Sequence, residues 1–259
     1  MPPIESADVL KALGRVVHPD VHKPIVQIGL VENVSVSNGT VQVQMRLPSP
    51  WPLGQALKSE IEAAIKALPG GNMQGVEFKT SWVVPGREVT SEDPIGSVKN
   101  IVLVLSGKGG VGKSTVAANV AMSLVRAGAA VGLLDADMYG PSMPTMFGIE
   151  ARPRAVDGKI EPVVRFELKL MSLGFLLEDP KAAVIWRGPM LHHALTQFFT
   201  DVSWGKLDYL VCDLPPGTGD VALTIAQRVQ ATGAVVVPTP QDVALADVYK
   251  RISMCQKVN

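Results

Sequence analysis

Apolar residues near the start of the chain recur at helical spacing. Val9, Leu10, Leu13, Val16 and Val17 fall toward one side of a helix over 6–16. The period then shortens to two. Val34-Ser-Val-Ser and Thr40-Val-Gln-Val flank Asn38-Gly39, a dipeptide that suits the left-handed backbone of a type I′ hairpin turn. A two-residue loop pairs Ser37 with Thr40, Val36 with Val41 and Val34 with Val43, so apolar meets apolar on both strands. Helical spacing returns over 53–68, with Leu57, Ile61, Ile65 and Leu68 on one stripe and Pro69-Gly70-Gly71 to stop it. A strand over 76–84 completes a small α/β unit, residues 1–84. The next stretch, 85–98, is polar, carries two prolines and two glycines, and reads as a linker.

From residue 99 to 259 short apolar runs alternate with helical patterns. That alternation predicts an α/β domain with a mostly parallel, doubly covered sheet. Strands are expected at 100–106, 130–134, 206–212 and 234–237. Each ends in polar residues: Asp135-Ala-Asp137 after the second, Asp213 after the third and Pro238-Thr-Pro-Gln-Asp242 after the fourth. In open α/β sheets ligands bind at that edge. The first strand runs into Gly107, Lys108, Gly109, Gly110, Val111, Gly112, Lys113, Ser114 and Thr115, which fit the phosphate-binding pattern G-x-x-x-x-G-K-[ST]. Val116, Val120, Leu124 and Ala127 follow at helical spacing. Strand, glycine-rich loop and helix give the context the motif requires. The glycines let backbone N–H groups converge on an anion, and the helix N-terminus adds its dipole. Lys113 is then the cation for the β- and γ-phosphates of ATP, and Ser114 a Mg²⁺ ligand. Asp213, at the end of an apolar strand, holds Mg²⁺ directly or through water. Pro215-Pro216-Gly217 reads as a loop that senses the γ-phosphate.

Charge and cysteine content narrow the setting. Lysine plus arginine and aspartate plus glutamate both number 24, so no basic footprint for nucleic acid exists. No apolar run is long enough to span a membrane. The two cysteines, Cys212 and Cys255, form no Cys-x-x-Cys pair and no disulfide framework, which suits a cytoplasmic protein. Cys212 lies in an apolar run and reads as a buried, inert thiol. His18 and His22 read as solvated loop residues, and His192 and His193 as packing or surface residues of a helical run over 190–199.

His18-Pro19-Asp20 followed by Ile25-Val-Gln-Ile-Gly-Leu-Val31 resembles the small α/β domain of iron–sulfur assembly factors. Many members of that family carry a cysteine in a Pro-x-Cys-Pro setting before the second helix. Here the segment is Pro48-Ser-Pro-Trp51-Pro52, so the resemblance does not extend to thiol-based cluster chemistry in this unit.

Lys108 is a second lysine in the phosphate loop, where an ordinary P-loop needs one. Lys-Gly-Gly-x-Gly-Lys-Ser-Thr resembles the signature of the deviant Walker A ATPases, which include the nitrogenase iron protein, the MinD and ParA positioning ATPases and the iron–sulfur carriers. The resemblance implies a nucleotide sandwich homodimer in which Lys108 reaches the partner's phosphates. It also implies that Asp137 is the switch residue acting on the attacking water, with Asp135 supporting Mg²⁺ or the loop. Asp135-Ala-Asp-Met-Tyr-Gly-Pro-Ser142, Trp186-Arg-Gly-Pro-Met190 and Asp213-Leu-Pro-Pro-Gly-Thr-Gly-Asp220 resemble three motifs of the Mrp/ApbC cluster carriers. This implies slow, Mg²⁺-dependent ATP hydrolysis and transfer of a [4Fe–4S] cluster to apo client proteins, with no nucleic-acid or membrane partner. Arg187 fits either a phosphate or partner contact or a solvated surface. A MinD/ParA-type positioning switch is the alternative.

In those carriers the cluster ligands are a Cys-x-x-Cys pair beyond the last helix. Here the sequence ends at Asn259, within or just after a helix starting near Asp242, and no return strand follows. The domain over 99–259 is therefore expected to be incomplete at its C-terminus, with the cluster cysteines outside these residues.

Overall fold

A computed structural model describes residues 4–50, 52–70, 73–91, 93–137, 140–176, 188–216, 225 and 229–239. Trp51, Arg187, the turn 217–220, the helix expected from Asp242, and Cys255 lie outside the described residues, as does the side chain of His192. The chain forms two compact units, Met1–Pro85 and Gly86–Asn259.

In the first unit, helix α1 (Ser6–Leu13) is followed by β1 (Val31–Ser37), β2 (Thr40–Leu47), helix α2 (Gln55–Lys66) and β3 (Gly75–Trp82). The hairpin has the register its sequence predicts: Ser37 opposes Thr40, Val36 opposes Val41 and Val34 opposes Val43. Asn38 and Gly39 supply the positive φ angles, 49° and 78°. Strand β3 pairs in parallel with β2, giving the order β1-β2-β3. One sheet face packs against both helices through Val9, Leu13, Val41, Val43, Met45, Leu57, Ile61 and Ile65. Helix α1 stops earlier than expected. Leu10 and Val17, assigned to its apolar side, are 39% and 43% exposed.

The segment expected as a linker belongs almost entirely to the second unit. Arg87 and Asp93 form a buried ion pair, and the guanidinium also donates to the Ile95 carbonyl at 3.1 Å. The Arg87 N–H bonds to the carbonyl of Lys99 at 2.8 Å. A polar, proline-rich stretch reads as linker, but a buried internal salt bridge and a backbone bond to Lys99 tie it to this unit.

Among the described residues, the second unit is built on a six-stranded sheet. Strand β4 (Val98–Ser106) leads into α3 (Lys113–Arg126), then β5 (Val131–Asp135) and the short α4 (Met143–Met146). A small hairpin of β6 (Arg154–Val156) and β7 (Lys159–Glu161) follows. Next come β8 (Val163–Arg165), β9 (Leu168–Ser172), α5 (Gly188–Thr200), β10 (Leu207–Asp213) and β11 (Gly233–Val237). The sheet order is β11-β4-β10-β5-β9-β8. All neighbours are parallel except the β8 edge, which is antiparallel to β9. Alternate residues feed the two faces. Ile101, Leu103 and Leu105 of β4 join Leu195 and Phe198 of α5 and Trp204, whereas Val104 joins α3 on the other side. Both faces are covered, which is why these strands read as continuous apolar runs.

Helix α3 departs from the expected apolar stripe. Its deepest residues are Ala117, Ala118, Ala121 and Leu124, and Val116 and Val120 are only half-buried. Small residues let the helix axis approach the sheet closely, and that closeness decides which side faces in.

Candidate functional site

Strands β4, β10 and β5 are adjacent; β10 and β5 end level, and β4 runs two residues further, to Ser106. Asp213 stands in register with Val104 on one side and Asp135 on the other. The phosphate loop leaves the end of β4 beside them. Gly110 and Gly112 have φ of 76° and 86°, a left-handed backbone that a side chain would strain. The Ser106 hydroxyl is buried and donates to the Lys108 carbonyl at 2.9 Å, which ties the start of the loop to the strand. Lys113 opens α3.

Lys113 is 5% exposed. Its ammonium donates to Oδ1 of Asp213 and lies 3.3 Å from Oδ2 of Asp137. Asp213 is fully buried, and its Oδ2 has no hydrogen-bond partner among the described residues. Burial pushes the Asp213 carboxyl above the usual carboxylate range. The charge and hydrogen bond of Lys113 and a hydrogen bond from Ser114 oppose that shift, and the charge of Asp137 adds to it. Ser114 is half-buried, and Thr115 points outward with an exposed side chain. Gly107 and Val111 are half-buried, and Gly109 is exposed. A side chain at Gly109 would come within 3.9 Å of Pro216, so Pro216, shortly after β10, faces the phosphate loop.

Lys108 is exposed, and among the described residues its ammonium enters no ion pair. The two lysines of one loop therefore differ: Lys113 is sealed behind it and Lys108 projects from it.

Asp135 is fully buried, and both its oxygens are engaged. Oδ1 accepts the Asp137 N–H at 3.2 Å. Oδ2 accepts the Met143 N–H and the Ser172 hydroxyl, each at 3.0 Å. Burial raises the Asp135 carboxyl to about 7 against the pull of these donors, with the charge of Asp213 adding to the rise. The expectation left Asp135 between supporting Mg²⁺ and supporting the loop. Two of its three hydrogen bonds go to the ends of the loop and the third to Ser172 of β9. Ser172 was not anticipated, because nothing in the local sequence around β9 marks it; only the pairing of β9 with β5 brings it opposite Asp135.

His18 and His22 lie in the first unit, where the His18 Nδ1 accepts the N–H groups of Asp20 and Val21 at 3.2 and 3.4 Å. His193 is exposed. Cys212 is fully buried, and burial with the neighbouring Asp213 charge pushes its thiol far up. It is therefore unsuited to thiolate chemistry. Among the described residues no group of three or more histidines, cysteines or carboxylates has metal-site geometry, and no helix is long and apolar enough to cross a membrane.

The family profile of NUBPL iron-transfer P-loop NTPases matches residues 97–259, and that of iron-sulfur cluster assembly proteins matches residues 6–78. The chain belongs to the iron-transfer P-loop NTPase family. Two relatives, each named an iron-sulfur cluster carrier protein, agree over nearly its whole length. The one from Synechocystis sp. is 44% identical over 257 residues, covering 96% of this chain and 72% of the relative. The one from Deinococcus radiodurans is 44% identical over 254 residues, covering 97% and 71%. Among solved structures, the nucleotide-binding protein in complex with ADP from Archaeoglobus fulgidus superposes with a TM-score of 0.57 at 41% identity. That match covers 66% of this chain and 68% of that one. The fold class expected from the alternating strands and helices is thereby established, as is the family resemblance read from the motifs. As a member of this family the chain is a nucleotide-binding P-loop ATPase.

Proposed function

We propose that this protein binds Mg·ATP at the β4–β10–β5 edge, hydrolyses it slowly as a nucleotide sandwich homodimer, and carries a [4Fe–4S] cluster to apo client proteins in the cytoplasm. The observation that carries this reading is the convergence of Lys113, Asp137 and Asp213 behind a glycine-rich loop, in a family of iron-transfer NTPases.

The residues suit a magnesium ion. Asp213 offers a buried carboxylate oxygen without a hydrogen-bond partner among the described residues, and Ser114 faces the same carboxylate. Hard oxygen donors of this kind are what Mg²⁺ prefers. When bound, the ion neutralises charge on the β- and γ-phosphates. The N–H groups of Gly110 to Ser114 hold the phosphates, and Lys113 leaves its carboxylates to reach them. Asp137, released from Lys113, orients a water whose oxygen attacks the γ-phosphorus. The bond from that phosphorus to the bridging oxygen breaks, ADP leaves, and the water's proton passes to phosphate or solvent. Lys108 from the second subunit meets the charge developing on the transferred group, the role an arginine finger fills elsewhere.

The cluster is the cargo. The resemblance assigns it to a Cys-x-x-Cys pair, a spacing these 259 residues do not contain, and Cys212 is sealed in the core. The test is anaerobic reconstitution of the protein expressed from its whole reading frame. Cluster absorbance and activation of an apo-enzyme support the carrier. ATP-dependent binding to vesicles or DNA without a cluster supports a positioning switch and overturns it. In parallel, the 259-residue chain is expected to retain no stoichiometric iron. About two iron atoms per chain, one four-iron cluster shared by two subunits, would move the ligands to residues present here.

A further inference from the structure

The loop between β5 and α4, residues 137–143, is closed by one carboxylate. Asp135 accepts the N–H of Asp137 at one end of the loop and the N–H of Met143 at the other. The third donor comes from a different strand. Ser172, fully buried at the end of β9 and in register with Asp135, donates its hydroxyl to Oδ2. The same hydroxyl oxygen accepts the Gly174 N–H at 3.0 Å. That second bond fixes the direction of the first. The Gly174 N–H occupies one of the two lone pairs of the hydroxyl oxygen, so the hydroxyl proton points away from it, toward Asp135. Gly174 is tightly placed as well: a side chain there would meet Pro141 at 3.1 Å and the Ser172 oxygen at 3.2 Å. The 172–174 corner therefore packs closely against Pro141 of the loop.

From this juxtaposition we infer that Ser172 is a positioning residue for hydrolysis. It aims the Asp135 carboxylate, which staples both ends of the loop and so sets where the Asp137 carboxylate stands. Ser172 touches neither the phosphate loop nor Lys113 among the described hydrogen bonds. Its removal should leave nucleotide affinity alone and blunt the chemical step. The inference rests on Asp137 acting on the attacking water.

The test compares isosteric replacements. Ser172→Thr and Ser172→Val have the same shape and differ only in the hydroxyl, so any crowding from the added carbon is common to both. Steady-state ATP hydrolysis is measured with Mg·ADP affinity by calorimetry. Ser172→Val and Ser172→Ala should lose about tenfold or more in kcat, with KM and Kd within about twofold, because a small misplacement of a reacting group is enough for such a loss. Ser172→Thr should rescue kcat. Asp135→Asn presents an amide N–H₂ to backbone donors and should lose kcat similarly; combined with Ser172→Val it should lose little more, as expected of one unit. Equal rates for the Thr and Val variants, or a loss confined to KM, overturn the inference. Asp137→Asn separates the two levels. If it hydrolyses ATP normally, the assignment of Asp137 has failed. If it is inactive while Ser172→Val is unimpaired, the assignment stands and the staple has failed.

Discussion

The ammonium of Lys113 donates to Oδ1 of Asp213, while Oδ2 of that same buried carboxylate meets no donor among the described residues. One carboxylate is thus half engaged by the protein's own cation. The arrangement fits a site in which Lys113 turns outward to phosphate and Asp213 turns to a metal ion. Replacing Lys113 by Ala should abolish Mg·ATP binding in calorimetry, since the phosphates lose their fixed cation. It should also lower the thermal unfolding midpoint without nucleotide, because removing one partner of a buried pair costs about 3 kcal/mol or more. A variant that binds ATP normally would remove Lys113 from the site.

Lys108 lies on the other side of the loop and should behave differently. Lys108→Ala is expected to bind Mg·ATP within about threefold of wild type and to lose roughly 10³-fold in kcat, the scale on which cationic fingers act in phosphoryl transfer. Single-turnover hydrolysis at saturating ATP gives the rate of the chemical step. A normal rate would exclude a catalytic role for Lys108.

The Arg87–Asp93 pair supplies a pH-dependent stability. Burial alone would raise the Asp93 carboxyl. The Arg87 hydrogen bond, the Ile95 N–H and the Arg87 charge outweigh it and hold the group below its ordinary 3.8. A lowered folded value means the contribution is present above about pH 4 and fades as pH falls through the folded value. Asp93→Asn should therefore cost ~3 kcal/mol near neutrality, as for other broken buried pairs. The gap to wild type in denaturant titrations should close on acidification. A gap independent of pH would show that the segment is held by packing instead.

Gly132 on β5 tests the core. A methyl there would come within 2.8–2.9 Å of Leu207, Leu210 and Trp204. Gly132→Ala is expected to destabilise by about 1–3 kcal/mol, the usual cost of overpacking, read from the urea midpoint at unchanged slope. No loss would mean the Trp204 ring moves freely.

Much of this was legible along the chain. The Asn38-Gly39 hairpin carries its own register. The phosphate loop carries its own context of strand and helix, and Asp213 ends an apolar run that could only be a buried strand. The rest depends on neighbours in space. The α3 face is chosen by how closely alanines let it approach the sheet, not by where its valines fall. The 85–98 stretch is pinned by a pair six residues apart whose value lies in being buried. Strands β6 to β9 were not anticipated, although Asp157-Gly158 at φ of 49° and 76° is a second type I′ signal. Ser172 was invisible because a serine has no meaning as a hydrogen-bond donor until the strand order places it beside Asp135.

The claim that two lysines of one loop serve two different nucleotides is tested most directly by subunit mixing. Lys113→Ala and Lys108→Ala should each be inactive alone. In a mixed dimer the intact phosphate loop of the Lys108→Ala subunit receives Lys108 from the Lys113→Ala subunit. Equimolar mixing should restore roughly a quarter of wild-type hydrolysis, since half of the dimers would be mixed and each would hold one complete site. A mixture as inactive as its components would contradict the account.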